Sequence, residues 1–522
     1  MVAGTSTNTS LKLLDLTLKP AGAIICSVIG EFTGIAGRQE IAALKAGGCI
    51  EIYAIVDAEL KLLSRLETSS VLRSAVTVRS GGSKRDLLVV GADGGCVSVL
   101  DFEGAKGKVL HCPAFGKTGC RRGTPGQYLA ADPKGRAIMI GAIEKRKLVY
   151  VLNRDGEGKI TIASPLEAHK SNTITFAIVG LDNGYDNPIF AALELTYVDY
   201  DDANDDDDDD EDDDATNSVQ KQLTYYELDL GLNHVSRRWS VAVHRSACTL
   251  AAVPGGSDGP GGVLVAGEDW IEYVHEGMED LEDPGNAIIV PLPRRKLHAD
   301  HKGVLITAIA VHRQKKGKFF AVCQTELGDA YKVSLDLQKG EGTYTVSGMT
   351  VSLLDTLPVA NALNITKLGL LFVAAEFSNH TLYQFERIDL ADVAPTMKSS
   401  QVREEIDALV SSSSSVELTR AQFFTTQRAA SIACKFTPTM LQSLRQVDSI
   451  LSLAPATGVL VGELAGGEVS PQVCLIMYSY MHVFVLSKKR TVSVHISRNI
   501  HTYVLLICYR YVADIHFVWP RA

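Results

Sequence analysis

Seven times along this chain, an apolar run ends in a short polar turn and a second apolar run follows. IAALKAGGCIEIYAIV begins at Ile41, LLVVGADGGCVSVLDF at Leu87 and AIMIGAIEKRKLVYVLNRD at Ala137. IFAALELTYV begins at Ile189 and resumes as LTYYELDL at Leu223, beyond a run of acids. VLVAGEDWIEYVH begins at Val263, FFAVCQTELGDAYKVSLD at Phe319 and LLFVAAEFSNHTLYQFERID at Leu370. Successive starts lie 46, 50, 52, 74, 56 and 51 residues apart. The second runs tend to alternate with period two, as where Val97 and Val99 flank Ser98, which is a strand signature. Four short strands and their turns fill about fifty residues, the size of one propeller blade. A single blade leaves an apolar sheet face in water, and a ring of blades buries those faces against one another. The spacing therefore predicts an all-β chain with a seven-bladed β-propeller. An ordinary β-sandwich does not call for seven near-equal intervals, and the Gly-His…Trp-Asp signature of a WD repeat is missing.

The acid run accounts for the 74-residue interval. Asp199 to Asp214 holds 13 acidic residues and no basic one, and the whole chain carries a net charge of -10. Without that run the body would be close to neutral. Such a segment repels itself and buries nothing apolar, so residues 199–222 are expected to form an exposed, disordered acidic loop. The loop reads as a tolerated surface insertion or as an electrostatic contact for a basic partner.

The short motifs point away from catalysis. Gly116-Lys117-Thr118 imitates the end of a phosphate loop, but position 111 is His111 instead of glycine, and CRRGTP from Cys120 does not open a helix. The ten cysteines include no C-x-x-C pair, which suits reduced thiols better than a zinc or disulfide framework. His298 and His301 are close enough to suggest a zinc pair, yet they lack a further ligand set. Glu268, Asp269 and Glu272 place carboxylates in a turn with no opposing pocket. There is no G-x-S-x-G and no H-E-x-x-H. No catalytic residue, cofactor or metal is expected. Met1–Ser10 does not read as a secretory segment, and AGAIICSVIG (Ala21–Gly30) is too short to span a bilayer.

Basic clusters offer the best candidate surface. They fall at Arg121-Arg122, Lys145-Arg146-Lys147, Arg237-Arg238, Arg294-Arg295-Lys296 and Lys315-Lys316-Lys318, all at or near expected turns. Such patches suit acidic protein surfaces or phosphates. They lack the interleaved aromatics of a single-strand nucleic-acid platform, so protein contact is the favoured reading. The expected partner contacts are Arg121, Arg122, Lys145, Arg146, Lys147, Arg294 and Arg295.

Long stretches resemble a known family. They are GKTGCRRGTPGQYLAADPKGRAIMIGAIEKRKLVYVLNRD (116–155), SPLEAHKSNT (164–173), YYELDLGLNHV (225–235), VPGGSDGPGGVLV (253–265), PLPRRK (291–296), DTLPVANAL (355–363) and LFVAAEFSNHTLYQF (371–385). Together they resemble the spliceosomal branch of the large propeller-scaffold family. That family also holds the damaged-DNA-binding adaptor of ubiquitin ligases and the large cleavage and polyadenylation subunit. The resemblance implies three seven-bladed propellers and a helical C-terminal region, the first and third rings forming a clamp. It implies a nuclear, non-catalytic scaffold of the SF3b complex in the U2 snRNP, supporting branch-site recognition in pre-mRNA splicing. The implied partners are other SF3b subunits and U2 snRNP proteins, with RNA met mainly through the complex, no membrane and no small-molecule substrate. Roles in ubiquitin-ligase adaptation or cleavage and polyadenylation are the alternative.

On this resemblance, residues 11–390 are the first propeller, 391–435 a linker or insertion, and 436–474 the start of an incomplete second propeller. The apolar stretch 475–522 departs from the family and reads as an aberrant or divergent tail, such as a shifted reading frame or an unspliced intron would produce. The 87 residues from Phe436 to Ala522 are too few for a second closed ring.

Overall fold

The computed structural model describes residues 22–452 apart from 116–125, 198–220, 413–431 and shorter breaks at 69, 80–82, 105, 145, 155–159, 169–171, 183, 185, 279–285, 297–302, 315–317, 341–343 and 388–393. It also describes the backbone of Ala456–Gly462, Val473–Tyr478 and Leu506–Cys508.

All seven expected hairpins are present, each as the second and third strands of an antiparallel sheet of four strands, or five in blades 3 and 6. Blade 1 is Ile24–Gly30, Glu40–Lys45, Cys49–Val56 and Glu59–Glu67; blade 2 is Leu72–Val78, Leu87–Ala92, Val97–Glu103 and Lys106–His111. Blade 3 is Tyr128–Ala131, Ala137–Gly141, Lys147–Arg154 and Ile160–Ile162, and blade 4 is Thr173–Gly180, Ile189–Thr196, Lys221–Asp229 and His234–Val243. Blade 5 is Thr249–Ala252, Val263–Ala266, Trp270–Val274 and Ile288–Pro291. Blade 6 is Ile306–Arg313, Phe319–Thr325, Asp329–Lys339 and Tyr344–Thr356, and blade 7 opens with Ala360–Ile365, Leu370–Ala375 and His380–Phe385. The first strand of each blade touches the first strand of the next, and that of blade 7 touches that of blade 1, so the ring is closed.

Why the second strands read as unbroken apolar runs follows from their position. Both faces of every blade are covered, so period-two alternation distributes one strand between two interfaces. In Glu40–Lys45, Ala42 and Leu44 face blade 2 while Ile41 and Ala43 face blade 7. In Leu370–Ala375, Leu371 and Val373 face blade 6 while Leu370, Phe372 and Ala374 face blade 1. The core is accordingly seven separate clusters, one at each junction between blades. Near the axis the strands crowd: a Cβ on Gly180 would lie 2.0 Å from the Ala131 carbonyl oxygen of blade 3, so only glycine lets these inner strands meet.

The seventh blade is completed from far along the chain. Its outer strand is Leu444–Ile450, paired with His380–Phe385. Phe436 is buried in the core between blades 5 and 6. Residues 436–450 therefore belong to the first ring and do not begin a second propeller, because the open edge of blade 7 and the apolar junction beneath it claim them. The expected linker 391–435 also contains structure. Thr396–Lys398 adds a fifth strand to blade 6, opposite Thr350–Ser352, and a helix follows at Ser399–Ser412. Met397 and Val402 are buried in the ring core. Lys435–Phe436 pairs in parallel with Arg294–Arg295. The acidic run lies outside the described residues, whereas Lys221 and Gln222 are already in a strand. Ala456–Gly462, Val473–Tyr478 and Leu506–Cys508 form a separate three-stranded sheet.

Polar side chains hold the closing strand. The buried Asp355 carboxylate accepts backbone N–H bonds from Leu441 (2.7 Å), Ser443 (3.0 Å) and Leu444 (3.2 Å). Asp448 accepts the Leu60 N–H of blade 1 at 2.7 Å. Asn361 donates to the Ile24 carbonyl at 2.9 Å, and the His380 ring nitrogen Nε2 meets the Gly22 carbonyl at 2.7 Å. Replacing Asp355 by Ala leaves four amides without their acceptor, those of Leu441, Ser443 and Leu444 and that of Thr356. It should lower unfolding free energy by about 2–3 kcal/mol in denaturant titrations and raise amide exchange over 441–450 first. An unchanged exchange rate there would show that Asp355 is not the anchor.

Burial pushes four histidines down: His244 to about 4, and His275, His312 and His380 in the same direction. Each is held neutral in the fold but takes up a proton near its ordinary value when unfolded. Their contribution is thus complete above about pH 6.5 and lost as pH falls toward 4. The denaturant midpoint should be lower at pH 5 than at pH 7.5, and His380→Gln should flatten that dependence.

Candidate partner-binding surface

The repeated geometry gathers one set of turns on one face of the ring. In five blades, the residue after the second strand donates its N–H to the carbonyl just before the first strand: Ala46 to Ala23, Asp93 to Val71, Tyr197 to Asn172, Glu326 to Leu305 and Glu376 to Val359. The turns between second and third strands therefore sit beside the links that lead from blade to blade. Of the expected basic contacts that are described, Arg146 falls in such a turn and Arg294 and Arg295 in such a link. Arg121, Arg122 and Lys145 lie outside the described residues, as do His298, His301 and Gly116-Lys117-Thr118.

Arg146 is exposed and donates from its guanidinium to the Phe115 carbonyl at 2.9 Å. This bond ties the blade 3 turn to the link from blade 2. Lys147 differs completely from Arg146 beside it. It is the first residue of a strand, only 3% exposed, and its ammonium contacts the Glu194 carboxylate of blade 4 and lies 4.7 Å from the Tyr226 ring centroid. Tyr226 donates its hydroxyl to the same carboxylate at 2.9 Å. Burial, with the Arg237 guanidinium nearby, pushes the Lys147 ammonium down to about 7. The expectation of a surface contact at Lys147 is corrected: its side chain joins two blades, because strand alternation turns it inward.

Arg294 and Arg295 are likewise engaged inside the molecule. Arg294 donates to Asp269 at 2.5 Å. Arg295 grips Asp329 with two bonds, 2.7 and 2.8 Å, and also donates to the Leu327 carbonyl at 2.8 Å. That two-pronged geometry is the strongest available to a guanidinium, and the Asp329 bonds hold Arg295 above its usual range. Burial pushes the Asp269 carboxyl up, while Arg294 and the Val304 amide oppose this. The cavity enclosed by these groups measures about 30 Å³, room for about one water molecule. The two arginines fasten the link between blades 5 and 6 to the turns on either side, each about a quarter exposed.

The carboxylates noted in the sequence have structural partners too. Asp269 accepts the Val304 N–H at 3.0 Å as well as Arg294, and Glu272 is buried. Among the described residues, no group of three or more His, Cys, Asp or Glu could hold a metal ion. What sequence reading missed is apolar. Val71, Ile143, Leu305, Phe377 and Leu451 are all exposed, and each sits in or against one of the clustered turns or links. Standing singly between polar residues, they have no periodic signal.

Comparison with known proteins agrees with this architecture. A family profile described as the RSE1/DDB1/CPSF1 first β-propeller matches residues 23–446. Spliceosome-associated protein 130 A of Arabidopsis thaliana is 42% identical over 464 residues, 88% of this chain and 34% of the relative. Splicing factor 3B subunit 3 of Drosophila melanogaster is 39% identical over 468 residues, again 88% and 34%. A probable splicing factor 3B subunit 3 of Dictyostelium discoideum is 45% identical over 384 residues, 72% of this chain and 29% of its own length. The chain thus spans about a third of the length of the curated relatives it matches.

Removing Lys147 alone should be costly, since Glu194 would remain buried without its cation. Lys147→Met should lower unfolding free energy by about 3–5 kcal/mol. Adding Glu194→Gln should restore much of that loss, because the orphaned charge is then gone. Equal stability of the single variant and the parent in urea titration would mean that the pair does not join the blades.

Proposed function

Because the chain belongs to the RSE1/DDB1/CPSF1 first-propeller family, we propose that it is a non-catalytic scaffold ring of the spliceosome. It acts in the SF3b complex of the U2 snRNP, in the nucleus, and supports branch-site recognition by holding protein partners. The observation that carries this reading is the similarity to splicing relatives across the whole ring, from the first blade to the closing strand. The site chemistry supports it. The two arginines of the 294–295 link, the buried lysine and the neighbouring carboxylates are engaged in fastening blades.

The partner face is the one that carries the clustered turns. Arg146 supplies positive charge there, the adjoining sequence adds Arg121, Arg122 and Lys145, and Val71, Ile143, Leu305, Phe377 and Leu451 supply apolar contact. This mixture suits a protein surface with acidic and apolar patches, where aromatic and apolar anchors contribute most and rim charges steer. Contact with RNA is made mainly through the assembled complex. Among the described residues, no helix is long and apolar enough to cross a membrane. A second, incomplete propeller begins beyond Ser452, past the strand that completes blade 7.

The test is affinity purification of the tagged chain from nuclear extract, followed by mass spectrometry. SF3b subunits and U2 snRNP proteins should co-purify. Arg121→Ala, Arg122→Ala, Lys145→Ala and Arg146→Ala in combination should reduce their recovery several-fold while leaving the unfolding midpoint unchanged. Recovery of a cullin ligase, or of cleavage and polyadenylation factors, in place of SF3b would overturn the splicing assignment.

A further inference from the structure

Two cysteines meet where blade 2 hands over to blade 3. Cys96 precedes the third strand of blade 2, and Cys112 directly follows its outer strand. The antiparallel pairing continues past both: Cys96 bridges Ala114, Val97 N–H bonds the Pro113 carbonyl at 3.0 Å, and Phe115 N–H bonds the Gly95 carbonyl at 2.7 Å. This register sets Cys112 opposite Ser98, with Cys96 two residues away on the same face. The Cys112 sulfur lies 3.5 Å from the Ser98 hydroxyl, and Cys112 is near enough to the Cys96 thiol to act on its charge. A β-bulge at Val99/Leu100 adds twist next to the pair.

The two thiols differ in access. Cys112 is exposed, and it is the only exposed cysteine among those described; Cys49 and Cys323 are buried and Cys96 is half-buried. Burial pushes the Cys96 thiol up, and the neighbouring Cys112 adds to the shift. Cys112 also lines an open cleft with His111, Pro113, Ala114, Tyr150 and Ser164, so a small reagent can approach it.

We propose that Cys96 and Cys112 form a thiol–disulfide exchange site whose substrate is a low-molecular-weight disulfide such as oxidised glutathione. The Cys112 thiolate attacks one sulfur of the substrate, forming a mixed disulfide and releasing one thiol. Cys96 then loses its proton and attacks the Cys112 sulfur, forming the Cys96–Cys112 bond and releasing the second thiol. Two protein thiols are oxidised and one small disulfide is reduced to two thiols, so the exchange is balanced without another reactant. Attack begins at Cys112 because reaction needs an accessible thiolate. The product ties the third strand of blade 2 to the start of the link that carries Arg121 and Arg122.

The test is to treat the folded full chain with oxidised glutathione, then quench and map cysteine peptides by mass spectrometry. A Cys96–Cys112 linked peptide should be the main product, with Cys49 and Cys323 still reduced. Cys96→Ser should stop at a glutathione adduct on Cys112, and Cys112→Ser should slow modification of position 96 at least tenfold. Phenylarsine oxide, a trivalent arsenical that bridges paired thiols, should bind at this pair in the parent and lose it in either variant. The proposal fails if Cys112 links instead to Cys120, if Cys96→Ser forms no adduct at Cys112, or if the parent keeps both thiols reduced while its other cysteines react.

Discussion

The ring exists because no blade can cover its own faces. Each second strand directs one set of side chains to the blade before and the alternate set to the blade after, and any open junction would expose both. Nine buried residues make the last junction, between blades 7 and 1, among them Ile24, Ile41, Tyr53, Phe372 and Leu382. That junction must form between segments more than 300 residues apart. Its stability depends on the late return of Leu444–Ile450 to the open edge of blade 7. Closing so distant a contact carries a loop-entropy cost, and the Asp355, Asp448, Asn361 and His380 bonds offset it locally.

The excursion between Phe385 and Leu444 is therefore part of the ring. Its strand at Thr396–Lys398 covers the outer edge of blade 6, its helix begins with Val402 in the core, and Lys435–Phe436 lies along the blade 5 to blade 6 link. An exposed sheet edge invites pairing with other chains, and here the same chain covers that edge. The arginines at 294 and 295 take part in this arrangement. Strand pairing with the returning segment fixes their backbone while Asp269 and Asp329 hold their side chains. Charge that reads as a surface patch in sequence thereby becomes internal fastening, and partner contact is left to residues further out on the turns.

Some of this was legible in the chain alone. The seven hairpins could be read because all but the one split by the acid run are local: two strands and a turn within about twenty residues, with apolar alternation doubled into a continuous run by burial on both faces. The number of blades followed from spacing. Of the seven basic residues expected at the surface, Arg146 is exposed, while Lys147, Arg294 and Arg295 are engaged inside the molecule. Lys147 was misread because its fate turns on one step of strand alternation and on Glu194, which lies 47 residues away in sequence.

Sequence by itself thus determined the repeat and the strand class, because these depend on side chains within one hairpin. Only the tertiary structure decided where the ring ends. LRQVDSI at 444–450 has little apolar character of its own, and TMK at 396–398 is three residues long. Neither carries a local signal. Each becomes a strand because a preformed sheet edge offers unpaired N–H and C=O groups. The same reason separates exposed Arg146 from buried Lys147: burial depends on what another blade places opposite, and that partner is distant in the chain.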